Sequence, residues 1–397
     1  MSGKAGWTRV AFADVVQLVR ERTSDPEGDG FERYVGLEHI DPGDLRIRRW
    51  GNVSDGTTFT NVFRSGQVLF GKRRAYQRKV AVADFDGICS GDIYVFEPKG
   101  DALLPELLPF ICQTDRFFEH AVGTSAGSLS PRTNWDSLAK FEFRLPPPDE
   151  QRRLRDALVA SETASATLSQ LLTRHRNVRR AAIDELTENH AWPAISVGDV
   201  CVMQNGKAFP GDDYRTDGIP LLRPGNLGAD GYLSWEVAKT VRLSRKWERD
   251  AADFVVTPGD VLVNLTAQSL EDGFMGRVCL AREGDRSLLN QRIGRLRDWR
   301  ADVSPEYVFR VLQSSRFQSH AIEMCEGSKV KHIFWPYIAR YVFKLPPRQV
   351  QHGVVTSLRQ VDRTLESLRE RLASLRRVHQ RLIAAAVGES VLATAVR

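Results

Sequence analysis

One boundary written twice constrains this chain more than anything else in it. Residues 140–158 read KFEFRLPPPDEQRRLRDAL, and residues 340–358 read RYVFKLPPRQVQHGVVTSL. Both run aromatic, any residue, Phe, basic, Leu-Pro-Pro, three residues, Gln, then a helical pattern. A chain that leaves a strand-like segment and enters a helix in the same words, 200 positions apart, is a tandem duplication.

The gapless comparison extends well beyond the phrase. Pro105-Glu106 meets Pro305-Glu306. Gln113, Arg116, Phe117, His120 and Ala121 meet Gln313, Arg316, Phe317, His320 and Ala321. Gly127-Ser128 meets Gly327-Ser328, and Trp135 meets Trp335. Upstream the offset shrinks: Phe12–Val15 resembles Val197–Val200, and Ser65–Leu69 resembles Pro258–Leu262. Each half therefore has a mixed globular part followed by a long helix. Short β-rich runs such as 91–97 and 260–265 are separated by Gly, Pro and Asp clusters. One helix is expected around Pro105–Ala121, with its copy at Pro305–Glu323.

After the prolines the apolar period becomes 3.5. Val354, Leu358, Val361, Leu365, Leu368, Leu372, Leu375, His379 and Leu382 fall at alternating four- and three-residue steps, a coiled-coil seam. The first copy reads Leu154, Leu158, Ser161, Ser165, Leu168, Leu172, His175, Arg179, Ala182 and Leu186, with polar interruptions. Proline suits a helix start, where the missing N–H has no partner to lose. Each helix should run about 40 residues, roughly 60 Å. The expected fold is α+β: globular domains at 1–146 and 189–346, helices at 147–188 and 347–397. The simplest pairing is antiparallel about a pseudo-two-fold; pairing between chains is the alternative.

Composition excludes rather than identifies. No apolar run approaches the ~20 residues that span a bilayer, and the N-terminus lacks the apolar core of a signal peptide, so a cytoplasmic location is expected. Cys89, Cys112, Cys201, Cys279 and Cys325 are scattered, which suggests neither zinc site nor disulfide framework. The net charge of +6 and pI near 9.1 are compatible with nucleic acid. No phosphate-binding loop or H-E-x-x-H occurs, and the Pro-Pro pairs follow leucine, unlike a base methyltransferase motif. Asp92…Glu97-Pro98-Lys99 has the residue types of a metal-dependent nuclease, but Pro98 marks a strand end and positions 292, 297 and 299 do not repeat it.

The order of these parts, with phrases such as YVGLEHI (34–40), VLFGKRRAYQRK (68–79) and LLRPGNL (221–227), resembles the specificity subunit of Type I restriction–modification enzymes over essentially the whole chain. The resemblance implies two target-recognition domains on two antiparallel helices and no catalysis by this chain. Each domain would read half of a bipartite double-stranded DNA site. Two methylation subunits and motor-nuclease subunits would join, carrying S-adenosylmethionine, ATP and Mg. The polar first seam departs from that pattern. It marks either a weaker helix pair or a place where a partner subunit supplies packing. Rival readings are a DNA-modifying enzyme and a coiled-coil scaffold that reads no DNA.

Candidate DNA contacts follow from residue chemistry. Lys72, Arg73, Arg74, Arg78 and Lys79 put five basic residues in eight around Tyr76, suited to phosphates and guanine. Asn264, Gln268 and Ser269 hold the similar place in the second half, where Asn and Gln suit adenine edges; a turn role for Asn264 is the alternative. The Gly-Ser loops differ, with Ser128, Ser130 and Arg132 against Ser328, Lys329, Lys331 and His332. Arg223 and Asn226 complete the set.

Overall fold

A computed structural model describes residues 6–188 and 191–388. The chain resolves into two compact units. One takes residues up to 169 together with those from 370 on; the other takes 170–369. These units cut across the linear boundaries expected from the sequence, because each claims half of both long helices.

The first unit carries a four-stranded antiparallel sheet in the order 16–19, 93–98, 68–71, 80–82. A second sheet has the order 51–52, 33–35, 87–89, 61–63, with one parallel pairing, Arg33–Val35 beside Gly87–Cys89. The second unit repeats both orders. Its first sheet runs 202–205, 293–297, 261–264, 278–280, and its second runs 242–243, 219–222, 287–289, 255–256, again with one parallel pair. Both central strands are buried on both faces. Val68 and Phe70 enter one core while Leu69 enters another, and Val261 and Val263 part from Leu262 in the same way. This explains their unbroken apolar runs. Each domain closes with a two-stranded ladder whose last strand is the segment before Leu-Pro-Pro: Thr8–Ala11 with Glu142–Leu145, and Ala194–Ser196 with Val342–Lys344.

The single helix expected at Pro105–Ala121, and its copy, are each broken in two. Leu108–Cys112 and Asp115–Gly123 are separate helices, as are Pro305–Val311 and Ser315–Glu323. Thr114 and Ser314 cause the break. Each hydroxyl accepts a bond from the backbone N–H three residues on, at 3.2 Å, and so starts a new helix.

The long helices are α1, Pro148–Glu188 (41 residues), and α2, Arg348–Ala386 (39 residues). Their starts explain the repeated phrase. Gln151 is 1 % exposed. Its Oε1 accepts from Leu104 N (2.8 Å), and its Nε2 donates to Ala102 O and Pro146 O. Gln351 does the same with Ser304 N (2.7 Å), Asp302 O and Pro346 O. Each glutamine ties the first turn of a helix to the loop before the broken helix pair.

Within each unit the two helix segments run antiparallel. In the first, Ser161 meets His379, and Leu154 and Leu158, which precede Ser161, share a core with Leu382, Ile383 and Ala386, which follow His379. In the second, Arg179 meets Asp362, and Ile183 and Leu186 share a core with Val354, Val355 and Leu358. Of the seam residues, Leu154, Leu158, Leu172, Leu186, Leu358, Leu365, Leu368 and Leu372 are buried. Leu168, Val354, Val361, Leu375 and Leu382 are half-buried. Two of the polar interruptions in α1 have polar partners on α2: Ser161 lies 2.6 Å from His379 Nδ1, and Arg179 Nε donates to Asp362 at 2.6 Å.

Four of the cysteines are buried and Cys325 is partly so. No helix among the described residues is long and apolar enough to cross a membrane.

Candidate nucleic-acid interface

The two regions of the first domain singled out by sequence form one structure. The central strand ends at Gly71. Lys72 N then donates to Asp92 O (2.9 Å), Thr133 N donates to Lys72 O (3.0 Å), and Arg74 N donates to Pro131 O (2.7 Å). Arg73 thus lies across from Arg132. The Gly-Ser loop is a tight hairpin closed by paired bonds between Ala126 and Arg132, 2.9 and 3.0 Å. Gly127 turns it at φ +107°, which a side chain resists.

Side chains consolidate this junction. Asp92 accepts from Arg132 Nε (2.8 Å) and Arg73 Nη1 (3.2 Å). Ser130 Oγ accepts from Arg73 Nη2 (3.0 Å) and Arg74 Nη2 (3.2 Å). Burial works to raise the Asp92 carboxyl, but the bonds from Arg132 and Arg73 outweigh it and hold it below its ordinary value. Lys72 is half-buried with Nζ 4.6 Å from the Tyr94 ring centre, and burial lowers its pKa. Beyond it, Arg74 (φ 53°) and Arg78 (φ 56°) bracket the 3-10 turn Ala75–Gln77 in the left-handed region. Non-glycine residues adopt that region only where surrounding structure compels it. Tyr76 points out at 56 % exposure. Arg78 bonds Asp115 (2.5 Å) and lies over Phe118 (4.6 Å). Lys79 Nζ donates to Leu37 O at 2.5 Å. Ser128 is exposed at the hairpin tip.

The second domain builds the same junction from other residues. Leu265 N donates to Arg292 O (2.9 Å) and Ile333 N to Leu265 O (3.0 Å). Thr266 and Ala267 pair with His332 and Lys331. The hairpin closes through Glu326 and His332, both bonds 2.8 Å. At Gly327 (φ +110°) a Cβ would sit 2.3 Å from Val330 O. Gln268, Ser269, Ser328, Lys329 and His332 are exposed and Lys331 is half-buried. His332 lies parallel to Phe334. Arg292, which the sequence reading passed over, occupies the place of Asp92 and is exposed.

Two of the candidate contacts are corrected. Asn264 is 0 % exposed; its Nδ2 donates to Thr266 O (2.7 Å) and Phe274 O (2.6 Å). It clasps the base of the 265–274 loop and has no exposed surface with which to meet a base. Asn226 is 2 % exposed, accepting from Arg223 N and donating to Ser234 O. Residue type gave both a base-edge vocabulary, but burial makes them frame. Arg223 remains exposed. Arg277, not singled out by sequence, links these loops by donating to Leu227 O, Gly273 O and Asp272 O, each at 3.0 Å. The metal-like fragment has other work: Glu97 accepts from Gln17 (2.6 Å) and Gln67 (2.7 Å), while Asp92 holds arginines.

One curated relative matches the chain along nearly its whole length, and another along less than half of it. The Type I restriction enzyme MjaVIII specificity subunit of Methanocaldococcus jannaschii is 19 % identical over 408 residues, covering 95 % of this chain and 91 % of that protein. The chain is a relative of the type I restriction specificity subunits. The EcoDI specificity subunit of Escherichia coli is 28 % identical over 190 residues, 45 % of this chain and 40 % of that protein. No family model matches. The fold of a type I restriction–modification S subunit from M. genitalium superposes with a TM-score of 0.61 at 12 % identity, covering 97 % of this chain and 96 % of that one. A chain solved in a study of complex assembly and conformational transition of the type I R-M system also gives 0.61, at 21 % identity, over 98 % and 100 %. The chain has the fold of these specificity subunits.

Proposed function

We propose that this chain is the sequence-reading subunit of a type I restriction–modification complex. Each globular domain reads one half of a bipartite site in double-stranded DNA. The antiparallel helices hold the half-sites at a set spacing and dock two methylation subunits, with motor-nuclease subunits completing the cytoplasmic assembly. The chain itself is non-catalytic; S-adenosylmethionine, ATP and Mg belong to its partners.

The observation that carries this reading is the junction built twice. The same backbone ladder joins the end of a central strand to a Gly-Ser hairpin in both domains, yet the exposed side chains differ: Arg132 and Tyr76 in one, Gln268, Lys329, His332 and Arg292 in the other. A shared frame that positions different polar groups suits two domains reading different sequences, because phosphate contacts set register while base contacts specify. The test is genome-wide mapping of methylated adenines in cells with the gene, without it, and with residues 1–139 replaced by the equivalent domain of another specificity subunit. Loss of one bipartite motif on deletion, and change of one half-site in the chimera, are expected. An unaltered methylome on deletion would leave the scaffold reading in its place.

A further inference from the structure

In the first domain an acidic side chain stands among the groups proposed to meet DNA, and its geometry assigns a role to one arginine. We infer that Arg132, buttressed by Asp92, reads a guanine in the half-site of the first domain. The inference rests on the DNA-reading function proposed above and specifies one contact within it.

Phosphate binding needs positive charge but little orientation, and a carboxylate beside the duplex opposes it. Asp92 therefore detracts from a site built for phosphates alone. It makes sense where an arginine must be held in one pose. Arg132 is fixed on both sides. Its backbone exchanges two bonds with Ala126 across the hairpin, and its Nε donates to Asp92 Oδ1 at 2.8 Å. The other carboxylate oxygen takes Arg73 Nη1, while Arg73 Nη2 reaches Ser130, two residues before Arg132 on the same hairpin. The hairpin is thus gripped at two points through one carboxylate. The Arg132 side chain remains 52 % exposed. With Nε engaged, Nη1 and Nη2 have no hydrogen-bond partner among the described residues. These two parallel N–H groups form the end-on fork that matches guanine O6 and N7. Arg73, by contrast, has both ends of its fork engaged within the protein. The second domain lacks the device: Arg292 replaces Asp92 and His332 replaces Arg132 on the equivalent ladder.

Lysine keeps the charge of Arg132 but not its fork, so the assembled methylation complex carrying Arg132→Lys separates the two roles. Its methylome should show the first domain's half-site relaxed at one G·C pair, with the other half-site unchanged. Equilibrium binding should show discrimination at that pair falling roughly tenfold to a hundredfold, while the slope of log affinity against log salt is retained. Asp92→Asn, which removes the charge and leaves one acceptor oxygen for two arginines, should relax the same pair, and Asp92→Ala, which removes both acceptors, should relax it further. Full specificity in Arg132→Lys and Arg132→Ala complexes would overturn the inference. So would a first half-site without any G·C pair, or an Arg132→Ala complex whose only change is a shallower salt slope. A wild-type complex with no sequence-dependent methylation would instead overturn the function on which the inference rests.

Discussion

The two places where a globular domain meets its helix pair solve one problem with opposite chemistry. In the first unit the repeated position carries an aromatic ring and no charge: Phe110 lies edge-on to His379 at 5.9 Å, and His379 meets Ser161. In the second unit the residue at the repeated position is Arg310, 0 % exposed. It donates to Asp362 (2.6 Å), Tyr232 OH (3.0 Å) and Glu306 (3.2 Å). Asp362 also takes Arg179 and the Tyr232 hydroxyl, and Arg359 closes on Glu306. The frame fixes where the junction lies and leaves its chemistry free. The ionic version is brittle: a buried charge network is costly to assemble and costlier to break at one member.

The largest test of that contrast is truncation. Asp362→Ala strips the buried Arg310 of its closest counter-charge and should destabilise the chain by about 3–5 kcal/mol. Ser161→Ala, at the corresponding joint of the first unit, should cost about 1 kcal/mol. Both are read from urea unfolding of the purified chain at neutral pH, and equal costs would erase the distinction. Where the units agree, effects should agree. Gln151→Ala and Gln351→Ala each leave one backbone N–H and two carbonyls without their partner, and each should cost about 2 kcal/mol. A large difference between them would mean that the clips are not equivalent.

Acid should separate the junctions in order. Burial lowers the His379 pKa from 6.5. Below that value the unfolded chain binds the proton more readily than the folded one, so stability is lost as pH falls from about 6.5 toward the depressed folded value. For Asp362 burial works to raise the pKa, but Arg310 and Arg179 outweigh it and lower it from 3.8. Its contribution is therefore intact above 3.8 and lost only as pH falls below that. Thermal unfolding against pH should show the first decline abolished by His379→Gln and the second retained. The smallest effect concerns the loops. Arg292→Ala should flatten the log–log salt dependence of DNA binding by about 0.9, one phosphate contact, measured on the assembled complex; an unchanged slope would remove Arg292 from the interface.

The helices and their starts were legible because heptad spacing and Leu-Pro-Pro…Gln are local patterns, and two copies in one chain checked each other. The basic loop and the Gly-Ser loop were legible as separate features, but not their union, since a ladder between Arg73 and Arg132 joins residues far apart in sequence. Asn264 and Asn226 were misread because side-chain chemistry is the same facing inward or outward. Thr114 was missed because one capping hydroxyl can interrupt an otherwise continuous helical pattern. The polar seam positions Ser161 and Arg179 looked like defects until His379 and Asp362 stood opposite them.

The clips and the helix pairing differ in when they can form. Gln151 and Leu104 are 47 residues apart, and Gln351 and Ser304 likewise, so each clip can close soon after its own domain is made. Ser161 and His379 are 218 residues apart. At ~5–20 residues per second of synthesis, α1 waits roughly 10–40 s for the helix that will cover its seam. During that interval the first domain is expected to stand folded on the ribosome with an unpaired amphipathic helix trailing from it, a target for a holdase. Pulse proteolysis of ribosome-bound chains arrested before α2 emerges should spare residues 6–145 and cut within 161–188; protection of both would place α1 against some other surface during synthesis.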